Sequence, residues 1–69
     1  MHVKTAEAST GKWIRRSIMA FLEGQRNLKW VVGVIGNCVA DAKQMLIDLK
    51  TYGDRQRYQE LSDWLASRT

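Results

Sequence analysis

The chain has 69 residues, of which 45% are hydrophobic and 26% charged, with a formal net charge of +4, one cysteine and no proline. This length limits the fold to one small domain, and a chain of this size buries only about 60% of the surface that its unfolded state exposes. One cysteine excludes an internal disulfide, and His2 with Cys38 cannot complete a zinc site of four ligands. Since so small a core needs reinforcement, we expect one domain over residues 1–69 that forms a homo-oligomer.

The first predicted element is an amphipathic helix from about residue 10 to residue 23. Its apolar residues recur on one face at helical spacing, and they are Ile14, Ile18, Phe21 and Leu22. Thr10 or Ser9 is a suitable cap at its start, and Thr5 is a rival cap that would extend the helix back through residues 6–8. Gly24 is the type of residue that closes a helix in the left-handed conformation. The polar link over residues 25–27 is short, which predicts that the next helix packs beside the first.

The second segment carries a heptad repeat that predicts one long helix from about residue 28 to residue 52. Apolar residues alternate at spacings of four and three, and they are Leu28, Val32, Ile35, Val39, Ala42, Leu46 and Leu49. Such a seam is typical of a helix that pairs with another helix. We therefore expect these seven residues to form the interface of a homodimer, with Gly53 ending the helix.

Residues 29–35 also support an alternative, because their β-branched and aromatic side chains favour a strand. Gly33 and Gly36 would each destabilise a helix by about 0.5–1 kcal/mol. With a strand here and Asn37 capping a helix, the order of elements over residues 29–66 resembles that of ribbon-helix-helix DNA-binding proteins. The resemblance implies that outward side chains of the strand read the major groove, yet neither alternating set has the polar groups that base readout needs. The unbroken heptad favours the helix.

The third segment predicts a short helix over about residues 54–66. Asp54 is a suitable N-cap, and Tyr58, Leu61 and Leu65 follow at helical spacing. The predicted fold is therefore all-α: a helical hairpin with a short third helix, forming a homodimer through the second helix. This plan is similar to that of small plasmid and phage regulators such as the Rop-type hairpin dimer, although no sequence motif is shared.

The residues typical of catalysis are missing from the sequence, so we expect no enzyme activity and neither a metal nor another cofactor. No serine or cysteine has a base beside it, and residues 33–36 lack the lysine of a phosphate-binding loop.

The first seven residues contain no apolar signal core, and the most apolar stretch has 11 residues where a membrane helix needs about 20. We therefore expect a cytoplasmic protein and no integral membrane segment.

Positive charge is concentrated at one end of the chain, and this suggests a binding function. Residues 1–30 hold six basic and two acidic residues, whereas residues 31–69 hold five of each. We expect a non-enzymatic protein that binds and inhibits or redirects a larger protein, such as a transcription regulator or a motor ATPase, in the manner of phage anti-activators. Tryptophan and arginine are common anchors of such interfaces. The expected contact residues are Trp13, Arg15, Arg16, Arg55 and Tyr58. One alternative is a small basic dimer that binds DNA or RNA through Lys12, Arg15, Arg16, Arg26 and Lys29. A weaker alternative is a helix that lies on a membrane surface.

Overall fold

A computed structural model describes the backbone of residues 2–68 and the side chains of residues 11–68. The elements are four helices, α1 (His2–Leu22), α2 (Leu28–Ile35), α3 (Val39–Asp48) and α4 (Arg55–Ala66). Residues 2–68 contain no strand, so the all-α prediction is confirmed and the strand predicted as an alternative for residues 29–35 is wrong. Helix α1 packs against the other three helices, and α3 packs against α4.

The core is built around the apolar face of α1 that the sequence predicted. Its four residues are at most 1% exposed, and they pack against apolar residues from each of the other helices. The buried members of the core are Ile14, Ile18, Phe21, Leu22, Val31, Ile35, Ala42, Leu46, Leu49, Leu61 and Leu65. Ser17 is also buried, and its hydroxyl donates a hydrogen bond of 2.6 Å to the carbonyl of Trp13. This bond satisfies a polar group that would otherwise be costly to bury.

Helix α1 is longer than predicted, because it begins at His2 and not near Thr10. Ser9 and Thr10 lie inside the helix by their backbone, so neither caps it. The segment before them contains Ala6, Glu7 and Ala8, which have high intrinsic helix propensity. A hydroxyl residue marks a helix start only where the preceding residues do not continue the helix, and here they do.

The single helix predicted over residues 28–52 is wrong, because residues 36–38 divide it into α2 and α3. Gly36 has a φ of 55° and donates its N–H to the carbonyl of Val32 at 3.0 Å, which closes α2. The N–H of Cys38 then bonds to the carbonyl of Ile35 at 2.9 Å, and Cys38, in place of Asn37, occupies the N-cap position of α3. Helix α3 ends at Asp48, so Gly53 lies in the turn before α4 and does not itself end a helix.

Gly24 closes α1 as predicted, with a φ of 84°. Its N–H donates to the carbonyl of Phe21 at 3.0 Å, and the N–H of Gln25 donates to the carbonyl of Ala20 at 2.9 Å. These two bonds form a Schellman motif, which satisfies carbonyls that the end of a helix leaves unpaired.

Two side chains cap the starts of α2 and α4. Asp54 accepts hydrogen bonds from the N–H groups of Gln56 (2.7 Å) and Arg57 (3.1 Å), so the predicted N-cap and third helix are confirmed. Asn27, which the sequence analysis assigned to a link, accepts a bond of 2.8 Å from the N–H of Trp30 and caps α2. Both caps satisfy N–H groups that lack a partner within the helix.

Arg57 holds the start of α4 against the end of α1. Its Nη1 donates hydrogen bonds of 3.3 Å to the carbonyls of Phe21 and Arg26. The guanidinium also lies 5.2 Å from the centre of the Phe21 ring, within the range of a cation–π interaction. One half-buried arginine therefore joins α4 both to α1 and to the connection that follows α1.

Candidate functional site

The side of α1 that faces away from the core is cationic and carries an exposed tryptophan. We call Lys12, Trp13, Arg15 and Arg16 the α1 outer face; all four are exposed. With 3.6 residues per turn, Lys12 and Arg16 are stacked one turn apart, while Trp13 and Arg15 lie on opposite flanks of that pair. Three of the five predicted contact residues thus lie on one helix, although Arg15 and Trp13 do not point the same way.

Trp13 is the most exposed large apolar side chain of the described residues, at 59%. At about 100° per residue, the buried Ile14 lies about 100° from Trp13 and the buried Ser17 only about 40° from it, so Trp13 lies at the edge of the buried face with its indole exposed. Tryptophan is normally highly buried, so an indole left exposed is informative. Its position beside Arg16, at a spacing of three residues, combines an apolar contact surface with a positive charge.

The other two tryptophans are half-buried, and each lies beneath an arginine. The guanidinium carbon of Arg26 is 4.8 Å from the centre of the Trp30 ring, and that of Arg68 is 4.8 Å from the Trp64 ring. Cation–π contacts of this kind leave less aromatic surface available to a partner. Trp13 is therefore the tryptophan with the most aromatic surface exposed.

The remaining predicted contact residues lie on α4, away from the α1 outer face. Arg55 is exposed, whereas Tyr58 is half-buried and lines a small groove of about 120 Å³ between α3 and α4. All residues that line this groove belong to α3 and α4, so the five predicted contacts divide between two surfaces. The groove also includes Ile47, which is 55% exposed and which the sequence analysis missed. The sequence does contain a signal for this exposed residue, because Ile47 is apolar at a position of the heptad repeat that is normally polar.

The predicted dimer seam serves largely as core within one chain. Ile35, Ala42, Leu46 and Leu49 are between 0% and 8% exposed, because α2 and α3 turn these residues towards the rest of the chain. The other three seam residues, Leu28, Val32 and Val39, are only half-buried.

The three half-buried seam residues all line open space beside α4. Its other wall is α2 together with Val39 at the start of α3, and we call this space the α2–α4 groove. Its first part, about 650 Å³, lies between Leu28 at the start of α2 and the stretch of α4 from Gln56 to Asp63. Its second part, about 590 Å³, lies between Val32, Val39 and the end of α4 at Trp64. The two parts adjoin, since consecutive residues on each helix divide between them: Leu28 and Asp63 line the first, and Lys29 and Trp64 line the second.

Neither a metal-binding cluster nor a membrane-spanning helix is found among the described residues. No group of three or more His, Cys, Asp or Glu side chains among them is placed to hold a metal ion, and His2 has its side chain outside this part. Cys38 is a half-buried free thiol. None of the helices over the described residues combines the length and apolar character needed to cross a membrane. No known protein family matches the chain, and no curated protein or solved structure is significantly similar to it.

Proposed function

We propose that this chain is a small non-enzymatic binding protein whose α1 outer face docks on an acidic surface of a larger protein and inhibits or redirects that protein. A transcription regulator or a motor ATPase is the expected kind of target. The observation that carries the proposal is the indole of Trp13, 59% exposed and next to the exposed cations Lys12 and Arg16. Tryptophan and arginine are the residues in which interface binding energy is concentrated.

The composition of the α1 outer face favours a protein partner over nucleic acid. The face supplies three cations per chain, or about six in a homodimer, which reaches only the lower end of the roughly 6–10 phosphates that a strongly salt-dependent DNA-binding protein neutralises. A large indole at the edge of the cationic surface suits an apolar pocket with a carboxylate rim. The proposed mechanism is occlusion: α1 covers the surface through which the target itself dimerises or binds DNA.

The protein acts in this proposal as a homodimer in the cytoplasm. A dimer presents the α1 outer face twice, and it supplies the buried surface that a chain of 69 residues lacks on its own. The half-buried seam residues Leu28, Val32 and Val39 are apolar surface available for such contact. A reducing compartment suits a chain whose one thiol, Cys38, has no internal partner.

Binding to DNA or RNA is the second candidate function, favoured by the same exposed Lys12, Arg15 and Arg16. Dimerisation would double the number of these cations to about six, the lower end of the roughly 6–10 phosphate contacts of a strongly salt-dependent DNA-binding protein. This candidate predicts an affinity for any duplex that falls log-linearly with salt concentration. The protein-binding proposal predicts only weak retention on DNA at low salt.

The test compares capture of partners from a host lysate by immobilised wild type, Trp13→Ala and Arg15→Ala/Arg16→Ala. We expect both variants to bind the main partner about tenfold or more weakly, since loss of one hot-spot side chain costs at least about 2 kcal/mol. Lys50→Ala is the matched control and should bind normally, because Lys50 is an exposed cation in the turn that follows α3. Equal affinity of all four proteins for the same partner would refute the assignment of the α1 outer face.

A further inference from the structure

The α2–α4 groove has an apolar centre that the chain itself does not fill. Leu28, Val32, Val39 and Trp64 are each half-buried along it. Gly33 lies beside them, and a Cβ built on it would meet nothing within 4 Å. A neighbouring backbone can therefore approach α2 closely at this point.

The two ends of the groove carry opposite charge. The first part is lined by the carboxylates of Asp54, Glu60 and Asp63 and by one guanidinium, that of Arg57. The second part is lined by two cations, Lys29 and Arg68, and no carboxylate is among the described residues that line it. Along one groove the sign of the charge thus changes from net negative to net positive.

We propose that the occupant of the α2–α4 groove is the same groove of a second copy, turned around so that the acidic end of each copy meets the basic end of the other. A two-fold symmetric interface uses one patch on both chains, so the patch must complement itself. A groove with one acidic and one basic end does so only in the antiparallel arrangement. This inference rests on the dimer of the proposed function and specifies its surface and direction.

To bury enough area, the contact must extend beyond the groove onto the adjoining surfaces of α2 and α4. A stable interface of standard size buries about 800 Å² on each partner, which is about a sixth of the 4996 Å² that the chain exposes. The antiparallel contact places the half-buried Val32 and Trp64 of one copy against the apolar centre of the other. It also leaves the α1 outer face free to bind a different protein.

Sedimentation velocity over about 1 to 100 µM tests the inference with two charge reversals. Lys29→Glu/Arg68→Glu makes both ends acidic, and Glu60→Lys/Asp63→Lys makes both ends basic. We expect each variant alone to associate about tenfold or more weakly than wild type, because like charges then face one another. An equimolar mixture of the two should recover association to within about threefold of wild type, since each end again meets its opposite.

Matched controls carry the same charge changes outside the groove. Arg15→Glu/Arg16→Glu and Glu23→Lys/Asp48→Lys alter exposed residues and should leave association unchanged. Gly33→Leu adds a side chain where the isolated chain has open space, so it should remain folded by circular dichroism while it blocks the dimer.

The outcomes separate this inference from the dimer proposal itself. A wild type that stays monomeric at about 100 µM overturns both. A wild type that dimerises, with reversals and Gly33→Leu that associate as well as it does, overturns the groove as the interface and leaves the dimer. Weak variants whose mixture fails to recover overturn the pairing of opposite charges as the basis of the contact. The direction is tested by the single reversals, because they weaken the dimer only if the acidic end of one copy faces the basic end of the other.

Discussion

Gly53 packs its backbone directly against Leu22. A Cβ built on Gly53 would lie 2.6 Å from the Cβ of Leu22 and 2.7 Å from its carbonyl oxygen. Gly53 also has a φ of 73°, a conformation that side-chain-bearing residues rarely adopt. The next residue, Asp54, donates its N–H to the same carbonyl of Leu22 at 3.0 Å. The turn before α4 therefore fits the end of α1 only because it contains glycine.

Gly53→Ala should destabilise the protein by about 2–4 kcal/mol. Two costs add up: alanine is strained at a positive φ, and its Cβ clashes with Leu22, which cannot move away unless α1 shifts. Urea denaturation followed by circular dichroism measures this change. Gly33→Ala is the control, because its φ is not positive and a Cβ there meets no atom within 4 Å. We expect that variant to gain up to about 1 kcal/mol from helix propensity. Equal effects at both glycines would contradict the described contact.

Arg57→Met should cost about 1–2 kcal/mol, because it removes two hydrogen bonds to the carbonyls of Phe21 and Arg26 while keeping much of the apolar contact. Arg55→Met makes the same chemical change at an exposed position of the first turn of α4. Its effect should stay within about 0.5 kcal/mol. Thermal melts compare the stability of the two variants. A similar loss of stability in both would show that the removal of a positive charge, and not of the hydrogen bonds of Arg57, is responsible.

Asp54→Ala should lower the free energy of unfolding by about 1 kcal/mol, because the N–H groups of Gln56 and Arg57 lose their acceptor. Asp54→Asn keeps an oxygen in the same place and should recover most of the loss. Chemical denaturation of the three proteins at one pH measures the series. An asparagine variant as unstable as the alanine variant would argue against capping as the cause.

Trp13 should be the tryptophan that iodide quenches most strongly. Its indole is 59% exposed, whereas Trp30 and Trp64 are half-buried beneath Arg26 and Arg68. Because those arginines also attract iodide, the expected difference comes from exposure. Three variants that each keep one tryptophan and replace the other two by phenylalanine allow separate Stern–Volmer measurements. Quenching of Trp30 or Trp64 above that of Trp13 would contradict the exposure on which the proposed function depends.

Local patterns in the sequence predicted those elements whose cause is itself local. The spacing of Ile14, Ile18 and Phe21 fixes which side of α1 is buried, and Asp54 caps α4 through bonds to residues only two and three positions away. The interruption of the second helix is different. Gly33 and Gly36 are the same residue type three positions apart, yet one lies within α2 and the other closes it. The heptad pattern records which side chains are apolar and contains no information about this backbone difference.

The candidate site was predictable in composition and only partly in arrangement. The positive charge of residues 12–16 and the adjacent Trp13 could be read from the chain, and both are exposed. The α2–α4 groove could not be predicted, since Lys29 and Arg68 are distant in sequence and meet only where the end of α4 lies beside α2. The same tertiary packing buries four of the seven predicted seam residues in the core of a single chain.

The hydrogen bonds from Arg57 also constrain the order in which the protein folds. They reach carbonyls that lie 36 and 31 residues earlier, at Phe21 and Arg26. Closing a loop of this length has an entropic cost that must be met before the contacts at its ends contribute. The bonds from Arg57 can consequently form only when α4 packs against α1, whereas the bonds of Gly24 and Gln25 that close α1 are local. We therefore expect the amides of α1 and α4 to exchange with solvent in one shared opening event, as parts of a single cooperative unit.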